Sequence, residues 1–151
     1  ETLFNWLFND LDKTKCLDMF SGTGSLGFEA LSRGATHITF IEKQKGLCRS
    51  MDALAKKLNI KSQVKIINAN AMALNFESIN ESYDLIFLDP PFNEGLVKKA
   101  LDIISKYNLL KEHGCLYIEC EKELDIESIS TDFSKLKESK SGEAKYYLYA
   151  S

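Results

Sequence analysis

A chain of 151 residues with 44% hydrophobic and 27% charged residues and a net charge of −3 fits one domain, 1–151, able to bury a self-supporting core. No run approaches the ~20 apolar residues of a membrane span and nothing resembles a signal peptide, so a membrane role is excluded and a cytoplasmic one expected. The charge gives no general pull toward nucleic acid, which would have to be held by a local basic patch or a further segment.

The first elements alternate in type. Residues 1–11 set Leu3, Phe4, Leu7 and Leu11 on one helical face, and the chain starts inside this helix as though a segment preceded it. Cys16–Phe20 predicts a strand and Gly24–Arg33 a helix burying Leu26, Ala30 and Leu31, with Gly34 in the helix-ending place. Ile38–Glu42 is a second strand. Leu47, Cys48, Met51, Leu54, Ala55 and Leu58 then trace a helical stripe.

Val64–Asn68 is a third strand, followed by a loop with room for a short helix, and Leu85–Leu88 is a fourth. Leu96, Val97, Ala100, Leu101, Ile103 and Ile104 mark another helix. Cys115–Cys120 is a fifth strand opened by a turn at Gly114. Phe133–Glu138 and Tyr146–Tyr149 flank a turn at Ser141–Gly142 and should pair as an antiparallel hairpin. Four strand–helix units and a closing hairpin predict a three-layer α/β/α sandwich, its sheet mostly parallel with one reversed strand.

Between the first strand and helix runs Asp18-Met-Phe-Ser-Gly22-Thr-Gly24-Ser-Leu-Gly27, a Gly-x-Gly-x-x-Gly loop. Its first two glycines allow a tight turn and close approach of a ligand to bare backbone; the third allows close helix–sheet packing. Glu42 ends the second strand 20 residues after Gly22, where a carboxylate can accept from ribose hydroxyls. The glycine loop, Glu42, Asn70 and Asp89 all fall at carboxyl ends of strands, where open α/β sheets bind ligands. The bland readings are a packing role for Gly27, turn roles for Gly22 and Gly24, a solvated Glu42, and a helix-capping Asn70.

Asp89-Pro90-Pro91-Phe92 closes the fourth strand and holds the only two prolines of the chain. Each proline fixes its own φ, lacks a backbone donor and holds its predecessor extended. A carboxylate, a carbonyl and a flat ring on stiff backbone suit a planar molecule with an exocyclic amine. A nicotinamide-dependent dehydrogenase would share the glycine loop but leave this site idle. Tyr107 and Lys111 have a dehydrogenase-like spacing, yet they fall at a helix end and read as structural; His37 and His113 read as surface or capping residues. Asp18, placed to meet the loop donors and a ligand ammonium, fits S-adenosylmethionine better. Cys16, Cys48, Cys115 and Cys120 lack metal-ligand spacing and read as ordinary thiols, with no metal expected.

Over nearly its whole length the chain resembles the RsmD-like methyltransferases, which modify a guanine N2 in 16S ribosomal RNA. The likeness is carried by Glu1–Leu7, Leu17–Ala35, Ile41-Glu42, Asn68–Met72, Phe87–Phe92, Leu116–Glu121 and Tyr146–Tyr149. It implies a Rossmann-like class I methyltransferase sheet, S-adenosylmethionine as cofactor, and ribosomal RNA or the small subunit as partner; a monomer is expected. By position Asp18, Phe20, Gly22 and Gly24 would hold the methionine end, Glu42 the ribose, and Asn70 with Ala71 the adenine edge. Asp89 and the Pro90 carbonyl would grip the target amine, with Pro91 and Phe92 against the base. The family's basic N-terminal extension has no counterpart before Glu1, so RNA docking should suffer more than cofactor binding. The alternatives are methyl transfer to adenine N6 or a protein glutamine, and a non-catalytic binding module.

Overall fold

The computed structural model describes residues 11–126 and 132–151, so the helix expected over 1–11 lies outside the described residues except for Leu11. The chain forms two compact units, Glu1–Leu74 and Asn75–Ser151.

In the first unit, strands β1 (Lys15–Asp18), β2 (His37–Glu42) and β3 (Val64–Asn68) lie in the order β3-β2-β1 and pair in parallel. Parallel neighbours need crossovers, supplied by helices α1 (Ser25–Ser32) and α2 (Lys45–Lys57). β2, with Ile38, Phe40 and Ile41 in its interior, is buried on both faces as a central parallel strand must be, whereas β3 at the edge is only partly buried. β1 stops at Asp18, two residues before the expected end, because the backbone turns there into the glycine loop.

Helix α1 buries Gly27 and Ala30, not Leu26 and Leu31. A Cβ on Gly27 would lie 2.4 Å from Phe40 Cε1 and 2.7 Å from Ile38 Cγ1, so the bare glycine lets the helix axis come close to β2. At that distance the flanking leucines are pushed to the sides. Gly34, with φ +110°, ends the helix as expected, its N–H donating to the Leu31 carbonyl. Helix α2 buries Cys48, Met51 and Ala55, while Leu54 and Leu58 are exposed; the expected stripe was one row too wide.

In the second unit, β4 (Tyr83–Leu88), β5 (Leu110–Glu121), β6 (Ser134–Ser141) and β7 (Ala144–Ala150) lie in the order β4-β5-β7-β6. β4 and β5 are parallel, joined through helix α3 (Leu96–Lys106), which buries Val97, Ala100, Leu101 and Ile104. β7 runs antiparallel to both neighbours and is the expected reversed strand. Its hairpin with β6 closes through Gly142 (φ +59°) and Glu143. β6 is almost wholly exposed, with Lys135, Lys137 and Lys140 along the open edge and Leu136 at a register shift.

Further features differ from expectation. β5 starts at Leu110, not after a turn at Gly114: the register jumps between Tyr83↔Leu110 and Leu85↔Cys115, and the strand carries the extra residues as a bulge with His113 at φ 67°. Residues after β3 form turns, so the described residues hold three strand–helix units, not four. Cys16, Cys48 and Cys120 are buried and Cys115 half-buried, all free thiols. Among the described residues no helix is long and apolar enough to cross a membrane, and no group of three His, Cys, Asp or Glu could hold a metal ion.

Candidate functional site

The parallel strands of the first unit bring Asp18, Glu42 and Asn68 to one edge, each at the carboxyl end of its strand. Glu42 is the joint of this edge. Its Oε1 accepts the Gly22 N–H at 2.9 Å, and its Oε2 accepts the Gln44 N–H at 2.8 Å. Its backbone carbonyl takes donors from Ala69, Cys48 and Asn68. At 8% exposure it is no solvated surface acid. Each carboxylate oxygen keeps lone-pair capacity for a ligand hydroxyl.

Asp18 is buried as well, 1% exposed, and its Oδ1 accepts the Phe20 N–H at 3.3 Å. Burial pushes its carboxyl up to about 7; the Phe20 bond opposes the rise and the Glu42 charge adds to it. A carboxyl in this state gains from an added cation. Ser21 turns the loop, donating its hydroxyl to the Asp18 carbonyl and its N–H to the Ile41 carbonyl.

Gly22 and Gly24 sit at φ +58° and +86°, conformations that L side chains rarely adopt. Nothing lies within 4 Å of the place a Gly22 Cβ would take, whereas one on Gly24 would meet Met51 Sδ and Phe28 Cε2 at 2.9 Å. Gly22 therefore leaves bare backbone facing open space, and Gly24 is held by packing. Past β3, Asn70 Oδ1 accepts the Met72 N–H at 3.0 Å, and Ala71 beside it is buried. Asn70 thus caps a turn, not a helix.

In the second unit, Asp89 follows β4, half-buried; Pro90 is buried, Pro91 exposed and Phe92 half-buried. The next residue, Asn93, turns the chain at φ 63° and donates its N–H to Glu121 Oε2 at 3.3 Å, tying the loop to the end of β5. The parallel register sets Phe87 opposite Tyr117 and Leu88 opposite Ile118, and Asp89 and Glu119 are the residues that follow this last pair on the two neighbouring chain segments. Tyr146 on β7 pairs with Glu119 from the other side.

Strand alternation puts Phe87, Tyr117, Glu119 and Tyr146 on one face. Tyr117 meets Phe87 edge-on at 6.1 Å and stacks with Tyr146 at 6.5 Å. Burial raises the Tyr117 hydroxyl pKa, and the Glu119 and Asp89 charges raise it further. Tyr146 is raised by burial and by the charges of Glu119 and Asp89. Two carboxylates thus share one aromatic platform. Glu119, Glu121 and Tyr146 were missed as site residues, although the run Tyr117-Ile-Glu-Cys-Glu121 alternates acid and apolar side chains in a way that offered the signal.

Tyr107 and Lys111 have structural roles, as expected: the Tyr107 ring lies 5.9 Å from that of Phe76, and Lys111 pairs with Asp84 at 3.5 Å.

A family model described as conserved hypothetical protein 95 matches residues 1–150. A protein of Haemophilus influenzae named ribosomal RNA small subunit methyltransferase D is 37% identical over 99% of this chain and 78% of its own length. One of Buchnera aphidicola with the same name is 41% identical over 99% and 76%. A solved chain from Escherichia coli is 31% identical with a TM-score of 0.88, the match covering 99% of this chain and 83% of that one.

Proposed function

Since the chain belongs to the conserved hypothetical protein 95 family, the RsmD-like methyltransferases, we propose that it transfers a methyl group from S-adenosylmethionine to the N2 amine of a guanine in small-subunit ribosomal RNA. Its fold is that of class I methyltransferases, mostly parallel with antiparallel C-terminal strands. The observation that carries the reading is the Glu42–Gly22 joint: a buried carboxylate, fixed by two backbone donors, beside a glycine whose bare backbone faces open space.

The first unit's residues fit the cofactor. Asp18, a buried carboxyl short of positive charge, takes the ligand ammonium and ionises against it. Gly22 and Gly24 let the methionine end lie against backbone. Glu42 accepts from the ribose hydroxyls, and Phe20 borders the same loop. Asn70, its Oδ1 engaged by Met72, offers its Nδ2 to an adenine ring nitrogen beside Ala71. When bound, S-adenosylmethionine supplies an electrophilic methyl on a sulfonium.

The second unit's residues suit the amine. The guanine N2 lone pair is delocalised into the ring, so the nitrogen attacks poorly while planar. Asp89 and the Pro90 carbonyl each accept one N–H, which favours a pyramidal nitrogen with its lone pair free for attack. Pro90 and Pro91 hold both acceptors on stiff backbone, and Phe92 lies against the base. Positioning and electrostatics carry most of the acceleration. Asp89 takes the proton once the new C–N bond has formed, because the neutral amine is too weak an acid to lose it earlier.

The test is methyl transfer from labelled S-adenosylmethionine to assembled small subunits, free ribosomal RNA, DNA and protein. Label is expected as N2-methylguanine in small-subunit RNA. Label confined to DNA or protein overturns the reading.

A further inference from the structure

Glu119 has no part in the chemistry described above, yet it stands where the target base is to be held. It is half-buried on β5, one residue beyond the paired Leu88 and Ile118, on the strand adjoining the Asp89 loop. Its cross-strand partner is Tyr146, whose ring stacks on Tyr117 and whose hydroxyl pKa the Glu119 charge raises. Glu121, two residues on, is already committed to the Asn93 N–H. Glu119 is thus a carboxylate beside one phenol, with acceptor capacity for a ligand N–H.

We propose that Glu119 reads the guanine by accepting its N1–H, while Asp89 holds the adjacent N2 amine. This rests on the guanine reading above. The chemistry is specific: guanine presents N1–H and N2–H donors side by side on its Watson–Crick edge, whereas adenine presents an acceptor at N1. A carboxylate facing N1 is satisfied by guanine and repelled by the adenine ring nitrogen. Asp89 alone makes no such distinction, since an exocyclic amine is common to both bases. Recognition of a base by hydrogen bonds to that edge while its ring is stacked is the general solution for enzymes acting on a base.

The test replaces the target guanine of the small-subunit RNA with 2-aminopurine, which keeps the 2-amine but has a bare acceptor at N1. The full-length wild-type protein should methylate guanine at least about a hundredfold more efficiently than 2-aminopurine, since a site built for an N–H rejects the analogue lacking it. Glu119→Gln places a donor where the carboxylate was. Its kcat/KM on guanine should fall about a hundredfold while that on 2-aminopurine stays within about threefold of wild type or rises. S-adenosylmethionine affinity, measured by calorimetry, should be unchanged and certifies that the variant is folded.

Equal loss on both bases, or no loss on guanine, overturns the assignment while leaving the methyltransferase reading intact. So does a wild-type protein that accepts 2-aminopurine as readily as guanine, an outcome that needs no variant. A wild type that methylates no ribosomal guanine sinks both.

Discussion

The Glu42 carboxylate lies 2.9 Å from the Gly22 amide nitrogen across 20 residues of sequence, so the end of β2 and the crest of the glycine loop are one mechanical piece. The second oxygen, bonded to Gln44 at the start of α2, extends that piece into the following helix. Glu42→Gln puts an amide donor against one of two N–H groups. S-adenosylmethionine affinity should drop about 10- to 100-fold, in line with losing a charge-assisted acceptor. Calorimetry on both proteins checks it; unchanged affinity would mean that the joint serves the fold alone.

The raised carboxyl of Asp18 predicts a pH dependence. Its folded value, about 7, lies above its ordinary 3.8, so below about 7 it is protonated and offers no charge to a ligand ammonium. Affinity for S-adenosylmethionine should weaken as pH falls below 7, approaching tenfold per unit, and binding at pH 6 should release a proton. Calorimetry in buffers of different ionisation enthalpy measures that proton directly.

The same group sets a stability trend of opposite usefulness. Between about 4 and 7 the folded chain binds more protons than the unfolded one, so its contribution to stability is present at low pH and disappears as pH rises. Asp18→Asn keeps an acceptor for the Phe20 N–H and removes the buried charge. At pH 8 the ligand-free variant should resist urea better than wild type, by up to a few kcal/mol, yet bind S-adenosylmethionine at least tenfold more weakly. A variant less stable than wild type at pH 8 would refute the picture of a destabilising buried acid.

Gly22→Ala and Gly27→Ala should fail in different ways. The first meets open space at φ +58°, so its cost is backbone strain of about 1 kcal/mol and its main effect is lost cofactor binding. The second drives a methyl to 2.4 Å from the Phe40 ring and should cost about 1–3 kcal/mol, or roughly 2–10 °C in melting temperature, with binding lost only as the fold loosens. Thermal melts paired with calorimetry separate the two. Similar melting temperatures for both would contradict the packing role of Gly27.

Asp89→Ala should leave S-adenosylmethionine affinity within about threefold while turnover falls by about a hundredfold or more, the range seen for lost transition-state contacts. Binding and single-turnover assays on the same preparation decide. Parallel loss of both would make Asp89 a cofactor contact instead.

Much of the arrangement could be read from residues alone because two periodicities were strong. The dense apolar residues of β2 and β4 belong to strands buried on both faces, and Gly22 to Glu42 is the span that a strand–helix–strand unit imposes. What escaped was set by packing distance and partner choice. Gly27 brings α1 so close that Leu26 and Leu31 flank the contact, which no helical-face count foretells. The bulge around His113 lengthens β5 because Gly114 can sit against the Leu110 side chain, a fit invisible in a one-dimensional pattern. Glu119 and Tyr146 are 27 positions apart, and only the reversal of β7 makes them neighbours.

The lysines along β6 bear on how the molecule behaves in crowded solution. A bare strand border invites a second copy to dock and propagate, but here Lys135, Lys137 and Lys140 outnumber Glu138, which pairs with Lys135, so two copies meeting along it present like net charge. That repulsion is carried by exposed charges and fades once the screening length shrinks to about 3 Å near 1 M salt. Dilute buffer should keep copies apart along this border, and concentrated brine is where they would begin to meet.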